Sequence, residues 1–362
     1  MPLSCVEYVL ARHTVPPSGN VLIIQHLLPD TEQFVRLISR VWRIVHIVGI
    51  PYSAKADVIR RLRKAFSITV PKKVEKMEDT VLHIISTLSS PTFIIDVGGY
   101  CASVATLPGM PIAGIVEETN QGHWRYKHVE KDLRYPVLSL AQCKVKQIEH
   151  LAVGTAIVFS FDKILRNELK DALQGKSVLV LGYGNVGRSV AYALRAAGAV
   201  VMVFDTDPAR IIEAKFAGFR CGPKEELLQA AEVVFGCSGR QSIGQEDLDF
   251  LRSGVYLVSG SSRRIEFDVA TFENLGLKER ISESLTRIRL KNTEVILVNE
   301  DFPINFKDLS IPMAIADLIF AETLLALEVI SARLPGLYAD YTLNGEEAVL
   351  RHWIRSYMDF EL

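Results

Sequence analysis

Cysteine is scarce in this chain: five residues in 362 (Cys5, Cys101, Cys143, Cys221, Cys237), scattered, odd in number and without a Cys-x-x-Cys pair. That pattern argues against a disulfide framework and against a zinc site, and it fits a reducing compartment. The expectation is a cytoplasmic protein with no metal. Net charge is lacking too, −1 with a pI near 6.7, and no basic run stands out. Nothing calls for nucleic acid or an anionic membrane as partner. The opening Met1-Pro-Leu-Ser-Cys-Val-Glu7 lacks the cationic stretch and apolar run of a secretory signal. Long uncharged apolar runs are missing as well. The most apolar late stretch, Ile311 to Ile330, carries Asp317, Glu322 and Glu328, and reads as a buried or half-buried helix and not as a membrane span. There is no internal repeat and no low-complexity segment.

What is present belongs to a globular protein: 49% hydrophobic and 23% charged residues, in a chain long enough for two domains with separate cores. Short β-branched runs alternate with helical patterns, the mark of parallel α/β architecture. Strands are expected at 21–24, 43–48, 67–70, 92–96, 111–116 and 136–140, and helices at about 31–41, 57–65 and 77–88. A long helix from about Lys144 to Leu173 follows, stopped by Gly175. A second series then runs strand 177–181, helix 186–197, strand 200–205, helix 207–217, strand 232–236, helix 245–251 and strand 255–259, a βαβ succession of the doubly wound type. The expected organisation is a substrate and catalytic domain over 1–150, a Rossmann dinucleotide domain over 151–305 that includes the linker helix, and C-terminal helices over 306–362 returning to the first lobe.

Between Leu181 and the next helix lies Gly182-x-Gly184-x-x-Gly187. In a dinucleotide fold the first glycine permits the tight turn, the second lets the backbone approach the pyrophosphate, and the third lets helix pack on strand. Backbone N–H groups at Asn185 and Val186 then face the phosphates, aided by the helix dipole. The spacing alone is a weak signal. Its context, after a strand, before a helix, and ahead of a second strand ending at Asp205, makes it a strong one. An acid there suits the ribose hydroxyls of NAD and repels the 2′-phosphate of NADP. Arg210 is the one opposing hint, discounted because it lies a turn into the following helix. Cys237 and Ser238, after the strand ending at Gly236, are expected to line the cofactor groove, the thiol in a packing role.

Gly175-Lys-Ser-Val-Leu-Val-Leu-Gly-Tyr-Gly-Asn-Val-Gly-Arg188 resembles the NAD-binding signature of S-adenosylhomocysteine hydrolases, with Ser189 where a glycine is usual. Gly114-Ile-Val-Glu-Glu-Thr119 with Asn120-Gln-Gly122, and Val298 to Asn305 followed by Ile311-Pro312, are similar to two further blocks of that family. The likeness spans about residues 20–330. It implies a Rossmann NAD-binding domain inserted in a flavodoxin-like α/β substrate domain, with Thr119, Asn120, Gly182, Gly184, Asn185, Val186, Gly187, Asp205, Cys237, Ser238, Ser259 and Asn305 at the cofactor. It also implies a chemistry in which NAD transiently oxidises a ribose hydroxyl, a thiol is eliminated, water adds and the ketone is reduced back. On that likeness His26 falls on the elimination histidine, Glu118 on the sugar-hydroxyl glutamate and Lys146 on the lysine assisting hydroxyl oxidation.

Other positions depart from the family pattern. A catalytic aspartate becomes Val97, and the aspartate one turn after the lysine becomes His150. Leu151, Ser261-Ser262-Arg263 and Ile311 replace further conserved groups. Lys146 and His150 are four apart and share a helix face, where an imidazole could take a proton from lysine or substrate; a solvated face is the alternative. Glu117 and Glu118 are adjacent in an extended segment, so only one can face a given site. The cluster His123-Trp-Arg-Tyr126 has no assignable role beyond a surface or inter-lobe contact. The leading expectation is an NAD-dependent enzyme that oxidises a hydroxyl of a sugar- or nucleoside-like small molecule, with His26, Glu118, Lys146 and His150 as catalytic candidates. The alternatives are a catalytically retired NAD-binding protein that works by protein contact, and straightforward hydrolysis of S-adenosylhomocysteine. The family's C-terminal lysine- and tyrosine-containing tail has no counterpart here, so a homo-oligomer without tail exchange is expected, a dimer in preference to a tetramer.

Overall fold

The computed structural model describes residues 3–12, 19–308, 310–339, 341 and 343–360. The chain divides into two compact units, Met1–Ile148 with Pro312–Leu362, and Glu149–Ile311.

The first unit opens with α1 (Ser4–Arg12), then alternates β1 (Asn20–Gln25), α2 (Pro29–Ile38), β2 (Arg43–Gly49), α3 (Ala56–Leu62), β3 (Ile68–Thr69), α4 (Met77–Ser86), β4 (Thr92–Asp96), β5 (Ile112–Glu117), α5 (Asn120–His128) and β6 (Pro136–Ser139). Pro29 starts α2 because a first-turn residue needs no N–H, and Asp30 sits at the positive end of the helix dipole. Residues of β1 and β4 are buried on both faces, so each reads as one continuous apolar run, as parallel strands covered by helices must.

The chain then enters α6 (Lys144–Ile164), whose first residues belong to the first unit and the rest to the second. This helix is shorter than its sequence pattern suggests. It passes into a wide π turn at Leu165–Leu169 and ends where Lys170 takes a left-handed φ of 54°, five residues before Gly175. Asp162 contributes to the early stop by accepting from the Leu173 N–H at 3.0 Å, which pulls the chain out of helical register.

The second unit continues with β7 (Ser177–Leu181), α7 (Asn185–Ala196), β8 (Val200–Phe204), α8 (Pro208–Phe216), β9 (Arg220–Cys221), α9 (Lys224–Ala230), β10 (Val233–Gly236), β11 (Val255–Ser259), α10 (Val269–Leu275), β12 (Leu277–Arg280), β13 (Leu285–Arg289) and β14 (Glu294–Val298). Its sheet order is 12-13-14-11-10-7-8-9. Strands 9-8-7-10-11-14 form the six-stranded parallel core of a dinucleotide fold, and β12 and β13 add an antiparallel edge that periodicity did not reveal. The segment 245–251, expected as an α-helix, is a 3-10 run over Gln245–Phe250. Alternate residues of β7 enter different cores: Val178 and Val180 pack with Ile157 and Phe161 of α6, Leu179 and Leu181 with Leu228 and Phe272. Ser189 donates to the Leu151 carbonyl at 2.8 Å, and Gly154 leaves room for its side chain, so α6 lies close against α7.

The chain returns to the first unit through α11 (Met313–Ile330), β15 (Gly336–Tyr338) and α12 (Glu346–Met358). The first sheet has the order 15-6-5-4-1-2-3, all parallel. Apart from the two-residue edge strand β3, that is the flavodoxin-type succession, extended by β15. α11 is buried around most of its circumference, and Asp317 is satisfied inside by the Cys5 and Val6 N–H groups at 2.7 and 3.0 Å and by the Tyr357 hydroxyl at 2.9 Å.

Candidate functional site

In open α/β sheets, ligands bind beyond the carboxyl ends of the strands where the chain reverses its winding direction. In the second unit that point is between β7 and β10. The turn after β7 is Gly182-Tyr-Gly184, and the segment after β10 begins Cys237-Ser238. Gly182 has φ +96°, and a Cβ there would lie 2.8 Å from the Cys237 carbonyl. A Cβ on Gly187 would stand 1.9 Å from the Gly182 carbonyl oxygen. Gly184 differs: a Cβ there would meet only the Arg210 guanidinium, at 3.4 Å, and otherwise open space. Two glycines are therefore required by the fold, while the middle one keeps backbone accessible ahead of the Asn185 and Val186 N–H groups at the start of α7. A dinucleotide pyrophosphate fits such a cradle.

Asp205 follows β8. It accepts from the Tyr183 N–H at 2.6 Å and the Asp207 N–H at 2.9 Å, so the acid shapes both the glycine turn and the start of α8. Arg210 is closer to this site than its place along the chain suggests. Its Nη1 is 3.6 Å from Asp205 Oδ2 and its Nε 3.7 Å from Asp207 Oδ2, because Pro208 starts α8 immediately and turns the first helical face toward Gly184.

Farther along the strand ends, Ser238 donates to Glu266 at 2.9 Å, Gly239 N–H donates to it at 2.7 Å, and Ser261 Oγ donates as well. Glu266 and Asp301 are both buried. Burial raises each carboxyl, Asp301 to about 8, with Glu266 reinforcing the effect on Asp301. Burial likewise pushes the Cys237 thiol up, which suits packing and not a reactive thiolate. Ser259, at the end of β11, is fully buried, and Asn305 is buried with its amide donating to Ser310 Oγ at 3.1 Å. The Glu266–Asp301 pair carried no sequence signal beyond the acids themselves, since its members are 35 positions apart by residue number.

In the first unit the winding reverses between β1 and β4. His26 directly follows β1 and Val97 follows β4. His26 Nδ1 lies 2.6 Å from Ser53 Oγ, and Ser53 gives its only proton to the Ile50 carbonyl at 3.1 Å. With that proton committed to Ile50, Ser53 Oγ is left to accept from the His26 Nδ1–H. Burial, then the charge of Lys146, lowers its basicity to a pKa of about 3, so it is neutral at physiological pH. Gln25 joins this centre: its Oε1 accepts from the His26 N–H at 2.9 Å and its Nε2 donates to Glu118 Oε2 at 3.3 Å. Thr323 of α11 donates to Glu118 Oε1 at 2.8 Å.

Glu117 and Glu118 part company as adjacent extended residues should. Glu117 turns to the loop after β4 and accepts from Gly98, Gly99 and Thr119 N–H groups at 3.2, 2.7 and 2.6 Å. Thr119 caps α5 by accepting from the Gly122 N–H at 3.0 Å, and Asn120 accepts from Gln142 at 2.9 Å. Lys146 and His150 are each only 6% exposed, so the face they share is buried and not solvated. Tyr126 is buried too and donates to Asp96 at 2.6 Å, while His123 lines a cavity of about 320 Å³ with Lys127 and Tyr338. Gln25, Ser53 and Thr323 are participants that sequence inspection missed. For Thr323 the available signal was its place beside Glu322, one of three acids in a helix that is otherwise mostly apolar. Among the described residues no group of His, Cys, Asp or Glu is arranged to hold a metal, and no helix is long and apolar enough to cross a membrane.

Known proteins share this arrangement of sequence. Residues 160–306 match the NAD-binding domain of S-adenosyl-L-homocysteine hydrolase. An adenosylhomocysteinase of Thermosynechococcus vestitus is 30% identical over 300 residues, 78% of this chain and 68% of that protein. The chain belongs to the adenosylhomocysteinase family. An S-inosyl-L-homocysteine hydrolase of Methanopyrus kandleri is 29% identical over 331 residues, 86% of this chain and 77% of that protein. A dipicolinate synthase chain from Bacillus halodurans is similar in structure, with a TM-score of 0.51 at 14% identity over 86% of this chain and 98% of that one, a likeness of fold alone. The cofactor of this member of the adenosylhomocysteinase family is NAD, as Asp205 and the glycine turn indicated.

Proposed function

We propose that this adenosylhomocysteinase-family protein is an NAD-dependent enzyme acting on a hydroxyl of a sugar- or nucleoside-like small molecule, with Lys146 as the base for the hydroxyl proton. The observation that carries this reading is the buried set in the first unit: Glu118 held by Gln25 and Thr323, beside neutral His26, with Lys146 buried on α6. Glu118, fixed by Gln25 and Thr323, is the carboxylate that accepts from substrate hydroxyls and so orients a diol. Lys146 in its amine form takes the hydroxyl proton. His26, neutral with Nε2 unprotonated, serves first as a base and only then as an acid, which suits abstraction next to a carbonyl followed by return of the proton. Gly182, Gly184, Asn185, Val186, Gly187 and Asp205 hold the cofactor, with Cys237, Ser238, Ser259 and Asn305 farther along its groove. NAD, when bound, supplies the hydride acceptor. His150 is the weaker candidate for passing on the proton of Lys146.

The relatives named above are hydrolases of S-adenosyl- and S-inosyl-homocysteine, so nucleoside thioethers are the first substrates to offer. Mixing protein and substrate in a single turnover should reduce bound NAD, and Lys146→Ala should abolish this while NAD still raises thermal stability. Binding of NAD with no reduction by any such compound favours a retired, ligand-binding role. Protein that neither carries NAD nor is stabilised by it overturns the reading.

A further inference from the structure

The adenosine end of the cofactor site carries a cation to which binding of NAD gives no task. Arg210 stands in the first turn of α8, and its guanidinium is what a Cβ on Gly184 would meet, at 3.4 Å. The same group reaches toward Asp205 Oδ2 at 3.6 Å and Asp207 Oδ2 at 3.7 Å. We propose that Arg210 receives the 2′-phosphate of NADP, so that the site takes NADP as well as NAD. This rests on the placement of the adenosine ribose beside Asp205.

An acid after the second strand of a dinucleotide fold selects NAD in two ways: it accepts from the ribose hydroxyls, and its charge repels a 2′-phosphate. The second effect is blunted here. The Asp205 side chain is only 6% exposed, and each of its oxygens accepts a backbone N–H, from Tyr183 at 2.6 Å and from Asp207 at 2.9 Å. Those two donors and the guanidinium together offset its charge toward an incoming anion, while its remaining lone pairs still serve the hydroxyls of NAD. Arg210 is placed differently. Its side chain is 48% exposed, and at 3.6 and 3.7 Å neither carboxylate lies within hydrogen-bond length of it. A planar fork of N–H groups held in this way pairs more strongly with two oxygens of a phosphate dianion than with either distant carboxylate. Asp207 opposes the arrangement weakly. One of its oxygens caps α8 through the Ala209 N–H at 2.9 Å, and its side chain is half exposed, so water screens the charge. Pro208 fixes the geometry by starting α8 at once, which turns the first-turn arginine toward Gly184.

The test is calorimetric titration of the full chain, freed of nucleotide, with two pairs of probes: NAD against NADP, and 5′-AMP against adenosine 2′,5′-bisphosphate. Within each pair the ligands differ only by the 2′-phosphate. Wild type should bind NADP saturably, about 10- to 100-fold more weakly than NAD. Arg210→Ala should weaken NADP and the bisphosphate at least about tenfold more than it weakens their partners, the loss of one charge-assisted pair. Arg210→Lys keeps the charge without the fork and should recover part of that difference. Equal losses within each pair overturn the inference, since they put the guanidinium on a phosphate that both ligands share. Binding of NAD with no saturable binding of NADP at about 1 mM overturns it as well. Failure of the underlying placement shows separately, as a protein that binds neither dinucleotide.

Discussion

Gly184→Ala and Gly187→Ala add one methyl group each to the same turn, and the structure assigns them different consequences. At Gly187 the new carbon would stand 1.9 Å from the Gly182 carbonyl oxygen, well inside any allowed contact, so α7 must move off β7. Overpacking of that kind costs about 1–3 kcal/mol, which in a unit of this size lowers Tm by roughly 3–10 °C. At Gly184 the backbone is extended (φ −73°, ψ −167°), and the methyl meets only the mobile end of Arg210 at 3.4 Å. The protein without cofactor should then melt within about 1 °C of wild type. The methyl does, however, occupy the space through which a pyrophosphate approaches the α7 N–H groups. A tenfold loss of NAD affinity is the minimum expected, about 1.4 kcal/mol. At NAD set to about 100 times the wild-type Kd, cofactor stabilises the wild type by about 2.7 kcal/mol and the variant by about half that. Thermal melts with and without NAD read both effects. A Gly184→Ala protein that keeps the full NAD-dependent shift would falsify the placement of the pyrophosphate over Gly184. A drop in its cofactor-free Tm matching that of Gly187→Ala would refute the open space.

Two further expectations concern protons. His26 has a folded-state pKa of about 3 against an ordinary 6.5, lowered by burial and by Lys146. The unfolded chain therefore binds the proton first, so the contribution of His26 to stability is intact above pH 6.5 and declines by up to about 1.4 kcal/mol per unit as pH falls toward 3. Relative to wild type, His26→Gln should gain stability across that window in urea unfolding; parallel curves for the two proteins contradict the assigned burial. Asp301 behaves in the opposite sense. Its carboxyl is raised to about 8, so its contribution is lost as pH rises from the ordinary carboxylate range through 8. Asp301→Asn keeps the shape, suits the left-handed φ of 66° at this position, and should become progressively more stable than wild type between pH 5 and about 9. A variant less stable than wild type at high pH counts against a protonated Asp301.

Much of this molecule was legible one segment at a time. The β7 strand, the glycine turn and Asp205 lie within 29 residues, and local rules of apolar periodicity, positive φ and helix dipole act over that range, so the strand, turn and helix of this segment could be read from the chain alone. The alternation rule also separated Glu117 from Glu118, because side-chain direction in extended backbone depends only on neighbours. Other features depended on contacts between distant segments. The stop of α6 at Lys170 follows from Asp162 reaching the Leu173 N–H, and the approach of Arg210 to Asp205 follows from the angle at which α8 leaves β8. The antiparallel edge of β12 and β13 is short and half exposed, so it left little periodic trace. Tertiary structure alone brought α11 against the first sheet, placing Thr323 on Glu118 and Glu322 within the field of Lys146, partners 205 and 176 positions apart. The sequence alone pointed to NAD as the cofactor, because the glycine turn and Asp205 belong to one short stretch of backbone. The proton chemistry of the first unit was decided by packing, because the state of a buried acid or base depends on what is folded against it.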